Sequence, residues 1–402
     1  MFRAAVARLS VVKTEQGPHL ITTSYQGVYP PFSVVPPGLA ARFGHSPQSS
    51  LMLARIAAAV IAALLLTPAI FATGSGLPLA GLALAVTPIT LFLGGTISPS
   101  GVETCGALAL VAALTALSRP TPARIAWIAL FAGGLALVGA RPLGPVWLAL
   151  AVGGFAVANV GRVRPVLQRR PRWATWAAGV VLLLGAANLA WILLRVPNPP
   201  APLRRLWLGV QIPLILKELV GVLGWVNTPL PAAVYDLWWA LVVLAVVAAV
   251  VVGTARQRLL LVGLVAGLGV VIVVVAAVFA FGQPDTRAQG RWFLPVAVAL
   301  PIMAMEILTR RLTSIPARRA GALTVVPVAG CQLVAFLTNA HRYGVGHLAV
   351  TYDLHAATWH PHGGWTLWLA VGTLACLLLA ISGLDTQRPT PGLREQSEIS
   401  IP

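Results

Sequence analysis

The sequence is short of acid. Only 10 of its 402 residues are Asp or Glu, against 28 Lys and Arg, and charged residues make up 9% of the chain, where soluble proteins carry about 25%. With 58% hydrophobic residues and a mean hydropathy of +0.85, that scarcity excludes an ordinary soluble domain. Lysine is nearly absent as well: Lys13 and Lys217 stand alone among the arginines. A GC-rich bacterial coding bias accounts for part of this preference, together with the abundance of Ala, Gly and Pro. The three cysteines, Cys105, Cys331 and Cys376, each fall in an apolar run and show no metal or redox spacing, so each acts as a small hydrophobe. Residues 1–50 lack a long apolar run and an h-region, which excludes a signal peptide or an anchor there.

What remains is a set of apolar runs. A membrane-spanning helix needs about 20 apolar residues. That criterion marks eleven segments: 51–73, 77–96, 102–117, 125–139, 143–160, 173–194, 232–252, 259–281, 292–308, 322–340 and 365–382. The fold class expected is therefore all-α and polytopic, with 1–50 an outer-face loop remnant, 51–383 the transmembrane domain and 384–402 a polar, disordered cytoplasmic tail. The net charge of +18 lies in short loops between these runs, the signature of a membrane protein and not of a nucleic-acid partner.

Orientation follows from the arginines. One alternate set of loops, including Arg119, Arg162, Arg164, Arg169, Arg170, Arg172 and Arg310, is short and dense; the other, with Arg141, Arg195 and Arg291, is sparse. The positive-inside rule places the dense set in the cytoplasm. Residues 1–50 then fall outside, although Arg3, Arg8, Lys13 and Arg42 have no helix ahead of them to drive translocation. An earlier start, with a twelfth helix, resolves that conflict.

Carboxylates near hydrocarbon are costly and call for a reason. Glu103, Glu218, Asp236, Asp285 and Asp353 all map to the outer face; each is a candidate general base, metal ligand beside a phosphate or sugar partner, or else a solvated or arginine-paired loop residue. Glu103, Asp236 and Asp285 are the catalytic candidates. Arg141 and Arg291 stand at outer helix ends beside prolines, where a guanidinium grips a phosphate bidentately or snorkels to headgroups. Glu306 and Arg310 are spaced as an i, i+4 pair. Arg204, Gln211 and Glu218 recur every seventh residue in 203–230, the pattern of a helix lying in the interface. His341, His347, Asp353, His355, His360 and His362 lack the spacing of a metal site, and no metal is assigned. Trp238, Trp239, Trp359, Trp365 and Trp368 belong to an interfacial belt or stack on sugars.

Four short elements carry a family resemblance: Tyr29-Pro30-Pro31; Ser98-Pro99-Ser100-Gly101 with Glu103; Arg141-Pro142-Leu143 with Trp147; and Gly290-Arg291-Trp292-Phe293-Leu294-Pro295. In their order and their outer-loop placement, from about Met1 to Trp368, they resemble the bacterial predicted membrane proteins called domain of unknown function 2142. That family is similar in architecture to GT-C glycosyltransferases, which take sugars from polyprenyl-phosphate donors at the outer face of the membrane; the analogy is one of fold. Family members usually open with a helix and a Pro-Asp-Glu-x-x-His segment, and this chain starts after it. Ser98 also stands where asparagine is common and Trp292 where tyrosine is common.

The resemblance implies a cell-envelope glycosyltransferase in the bacterial plasma membrane. An outer-face carboxylate would deprotonate an envelope glycan acceptor, Arg141 or Arg291 would hold the departing phosphate, Trp292, Trp238 and Trp359 would orient the sugar, and any divalent metal ion bound would neutralise the phosphate. The competing expectations are a transporter or flippase of lipid-linked precursors and a non-enzymatic assembly subunit. A transporter would need polar groups at the midplane and paired broken helices, and the helix interiors offer only Asn188, Gln332 and Asn339, none ionisable.

Overall fold

The computed structural model describes residues 10–14, 17–21, 29–120, 122–195, 208–224, 226–282, 288–312, 314–346, 354 and 357–384. Part of the 1–50 segment is ordered. Strands β1 (Ser10–Thr14) and β2 (Gly17–Ile21) pair antiparallel, with Val12 opposite His19, and a 3-10 turn Pro31–Ser33 leads into helix α1 (Val35–Ala41).

Each of the eleven apolar segments is helical. The first, α2 (Pro47–Thr73), starts four residues before its hydropathy does. Ser46 and Ser49 cap each other there, Ser46 Oγ accepting from the Ser49 N–H at 3.2 Å and Ser49 Oγ from the Ser46 N–H at 2.9 Å, with Pro47 in the first turn. The second segment is two helices, α3 (Leu77–Ala85) and α4 (Pro88–Gly94), bent by 68°. Pro88 disfavours helical backbone at Thr87, and the freed Val86 carbonyl accepts from Gln332 Nε2 at 2.7 Å. Then come α5 (Pro99–Leu117) and α6 (Ile125–Ala140).

The fifth segment, α7 (Gly144–Ala158), turns by 108° into α8 (Val160–Gln168). Helix α8 carries Arg162 and Arg164 and has no buried residue, so it lies on the surface. After α9 (Trp173–Arg195) comes α10 (Leu208–Val220) and a hairpin of β3 (Val222–Leu223) and β4 (Thr228–Pro229). Tyr235 locks this hairpin, its hydroxyl donating to the Gly221 carbonyl at 2.7 Å and accepting from the Leu230 N–H at 2.9 Å. The chain continues through α11 (Ala232–Val252), α12 (Ala255–Gly282), a 3-10 turn Gly290–Trp292, α13 (Leu294–Ala297), α14 (Ala299–Thr309), α15 (Ser314–Gly344) and α16 (Gly364–Leu384).

Among the described residues seven helices are long and apolar enough to cross a membrane, or up to nine if each bent pair counts as one span. Helix α6 and the run Leu294–Thr309 are shorter apolar helices. The protein is thus an all-α polytopic membrane protein, and its helices sort by what they face. Helix α5 is the most enclosed: only Val102 and Thr115 along it are not buried. Helices α9, α12 and α16 expose Leu182, Val270 and Leu374, as lipid-facing helices do. Helix α6 packs on α5 where Gly106 and Gly133 meet. A Cβ at Gly133 would stand 2.6 Å from the Gly106 carbonyl oxygen, so glycine permits this backbone contact.

Candidate functional site

The close packing of α5 and α6 sets Glu103, in the second turn of α5, beside Arg141, which ends α6. Arg141 is extended (φ −147°, ψ 161°), and this break would orphan carbonyls at the helix end. Asn188 of α9 supplies them, its Nδ2 donating to the Val138 carbonyl and to the Arg141 carbonyl. The fixed backbone aims the guanidinium inward. Arg141 Nη1 lies 3.3 Å from Glu103 Oε2 and 3.4 Å from Ser100 Oγ, and the buried Trp147 side chain lies near the Glu103 carboxylate. Glu103 is only 1% exposed, a depth at which a carboxylate needs its partner. The Arg141 guanidinium carbon sits 5.4 Å from the Tyr29 ring centroid and 5.7 Å from that of Trp292, both within cation–π reach.

Arg291 approaches the same place from the Gly290–Trp292 turn. That turn is seated on α10: the Gly290 N–H donates to Glu218 Oε2 at 2.7 Å, and a Cβ on Gly290 would overlap Glu218 and the Ile215 carbonyl. Arg291 is half-buried, and among the described residues its Nε has no hydrogen-bond partner. Burial first, then the neighbouring Arg141 charge, draws its pKa below the ordinary guanidinium value, while the Glu218 carboxylate opposes the shift. The group nonetheless stays charged at any physiological pH. The ion pairs among the described residues are Arg141–Glu103, Arg119–Glu306 and Arg310–Glu306; Arg291 has none.

Two guanidinium groups and one buried carboxylate therefore converge, leaving positive charge uncompensated in a partly desolvated place. Such an arrangement favours an anion with several oxygens, a phosphate above all. Beside it a groove of about 1120 Å³ runs between α6, α7 and α9, lined by apolar side chains such as Phe131, Leu148, Val152 and Val181, with Val138 and Pro142 on its wall to either side of Arg141 in sequence. It extends to Leu167 of α8 and to Arg170 just before α9.

The structure thus unites Tyr29, Ser100, Glu103, Arg141, Trp147, Arg291 and Trp292, drawn from four separate sequence elements. It treats the other candidates differently. Trp238 is 1% exposed inside the core, so it presents no ring to a sugar. Asp236 is exposed at the start of α11 and takes part in no ion pair among the described residues. Asp285 lies outside the described residues, as do His347, Asp353 and His355. Among the described residues no three His, Cys, Asp or Glu converge as a metal site would require. Trp359 is 51% exposed and packs against Tyr343 and Trp365.

Helix α10, expected to lie in the interface, turns two of its polar residues toward protein. Gln211 and Glu218 are buried and turned inward, while Val210 and Leu216 are exposed, so these two polar residues face protein; Arg204 lies outside the described residues. Glu218 is therefore not a solvated loop residue: it holds the Arg291 turn. The heptad of Arg204, Gln211 and Glu218 was the sequence signal for this role.

These features define a class, a polytopic membrane protein with a desolvated cationic site at one end of its helix bundle. The chain belongs to a particular family of that class, the predicted membrane proteins (DUF2142), whose family model matches residues 5–300. That range includes all seven residues of the site and stops short of residues 301–402. No curated protein matches the chain.

Proposed function

We propose that the Arg141–Arg291 site binds the phosphate of a lipid-linked sugar donor and that the protein is a cell-envelope glycosyltransferase of GT-C type in the bacterial plasma membrane. The observation that carries this reading is a pair of neighbouring guanidinium groups, of which only Arg141 is ion-paired among the described residues, beside an apolar groove. A phosphate attached to a hydrocarbon chain satisfies both halves. Arg291 takes the phosphate, Arg141 is released in part from Glu103 toward it, and Tyr29 and Trp292 flank the charge. The departing phosphate gains negative charge as the glycosidic bond breaks, and fixed cations stabilise that charge most when they are already in place. Glu103 orients Arg141 in this scheme. The sparse-arginine loops put the site on the outer face.

The transporter reading is less well supported. Two bent helix pairs exist, but α8 leaves the core as a surface helix, and the break at Val86 is capped by Gln332 and the one at Arg141 by Asn188. These buried amides satisfy backbone groups and are not free to carry a substrate. Incubating the protein in membranes with labelled polyprenyl-phosphate sugars and an envelope glycan acceptor separates the readings. Covalent transfer, abolished by Arg291→Ala with membrane insertion intact, is the expected result. Translocation without transfer would support the flippase instead, and neither outcome would leave an assembly subunit.

A further inference from the structure

A second cationic place lies on the other side of the α4–α5 hairpin. Arg55 of α2 and Arg342 of α15 converge on one ring: their guanidinium carbons stand 5.9 Å and 5.4 Å from the Tyr343 centroid. Arg55 Nε reaches the Gly95 carbonyl at 3.5 Å, while Arg141 reaches Ser100 beyond the same turn. Arg342 rests on Gly224, whose φ of +69° and lack of a side chain are both required: a Cβ there would overlap the guanidinium. No carboxylate pairs with Arg55 or Arg342 among the described residues.

Convergence of two cations without a counter-charge is unfavourable unless an anion completes it. The surroundings narrow the class of that anion. Asn339, one helical turn before Tyr343 and on the same face, has a buried carboxamide oxygen without a hydrogen-bond partner among the described residues. Trp359 lies 6.1 Å from Tyr343 and keeps half its surface free, held by Trp365, whose Nε1 donates to the Trp359 carbonyl at 3.1 Å. A lipid headgroup would use the charge alone. An exposed indole beside a fork of donors suits a ring that is apolar on one face and acidic at its edge.

We propose that Arg55, Arg342, Tyr343, Trp359 and Asn339 form a second binding site, which takes an acidic glycan through a carboxylate or phosphate on its sugar. Its role as the acceptor site rests on the transferase reading; the binding claim does not.

The test uses the full chain in phosphatidylcholine nanodiscs, titrated with fluorescent trigalacturonate and with phosphorylated maltotriose, each beside its neutral form, the methyl ester and maltotriose. At least one anionic form binds about tenfold or more tightly than its neutral counterpart, a difference of about 1.4 kcal/mol. Arg342→Ala removes that preference, Gly224→Ala weakens it by displacing the guanidinium, and Trp359→Ala weakens the anionic and neutral forms alike. Farnesyl phosphate, which addresses Arg141 and Arg291, does not displace the trisaccharide, so the two sites stand or fall separately. Equal binding of charged and neutral forms by the wild-type protein, or a preference that survives Arg342→Ala, overturns the proposal. Loss of glycan binding in phosphatidylglycerol nanodiscs assigns the cations to headgroups and overturns it too.

Discussion

Helix α5 joins two poles of the bundle with the same charges and opposite character. At one end Glu306 sits between Arg119 and Arg310, at 2.8 Å and 3.1 Å; at the other Glu103 sits beside Arg141, with Arg291 next to it. Both poles have two arginines for one acid. At the Glu306 pole every guanidinium is used. Arg119 also donates to the Ala72 and Thr73 carbonyls, Arg310 to Ser118 Oγ, and Arg162 to the Ser118 carbonyl. These acceptors lie where α2 and α5 end, so the cations complement the helix dipoles and satisfy terminal carbonyls. At the Glu103 pole Arg141 is held only by contacts of 3.3 Å to Glu103 and 3.4 Å to Ser100, and Arg291 by no ion pair among the described residues. Saturated donors make a rivet, whereas unsaturated donors are left able to take an anion.

The largest expected effect breaks the closed pole. Glu306→Ala leaves Arg119 and Arg310 facing each other in a partly buried place and lowers stability by about 3–5 kcal/mol, read as a fall in the thermal unfolding midpoint in nanodiscs, with farnesyl phosphate affinity at the other pole unchanged in whatever protein remains folded. Next, Asn188→Leu removes the donor for the Val138 and Arg141 carbonyls and costs about 1–3 kcal/mol. Because the same amide aims Arg141, this variant lowers stability and phosphate affinity together, a coupling that denaturation and binding titrations detect in parallel.

Gly290→Ala pushes the Arg291 turn off Glu218. It weakens phosphate binding about tenfold with a smaller loss of stability, since the turn is peripheral to the core. The smallest effect has the opposite sign. Glu103→Gln removes the charge that competes for Arg141 and keeps an acceptor for its N–H, so farnesyl phosphate binds a few-fold more tightly, as calorimetry would show. Weaker binding by this variant would mean that Glu103 itself contacts the ligand.

Much of this contrast was legible in the sequence, and the reason is physical. Charges near hydrocarbon are so costly that Glu103, Arg141, Arg291 and the Glu306–Arg310 pair stand out from their apolar surroundings. The apolar runs were likewise plain, because a bilayer demands length and hydrophobicity of each. The pairing was not legible. Arg119 joins Glu306 across 187 residues of sequence, and nothing local announces it. Backbone breaks were half visible: Pro88 marked a bend, but only the packed helices show Gln332 and Asn188 answering the carbonyls those bends release. Trp238 misled because a tryptophan's place in a core or at a surface depends on its helix's rotation, which a helix apolar all round does not reveal. Glu218 misled in the other direction, facing protein instead of water.

The central claim is that the Glu103 pole is open to an anion because Arg291 has no ion pair among the described residues. Titrating farnesyl phosphate into the wild-type protein and into Arg291→Ala, in nanodiscs of neutral lipid, tests it most directly. The account predicts saturable binding by the wild type, at least about tenfold weaker in the variant, with the same unfolding midpoint for both proteins when no ligand is present. Equal affinity in the two proteins would contradict it.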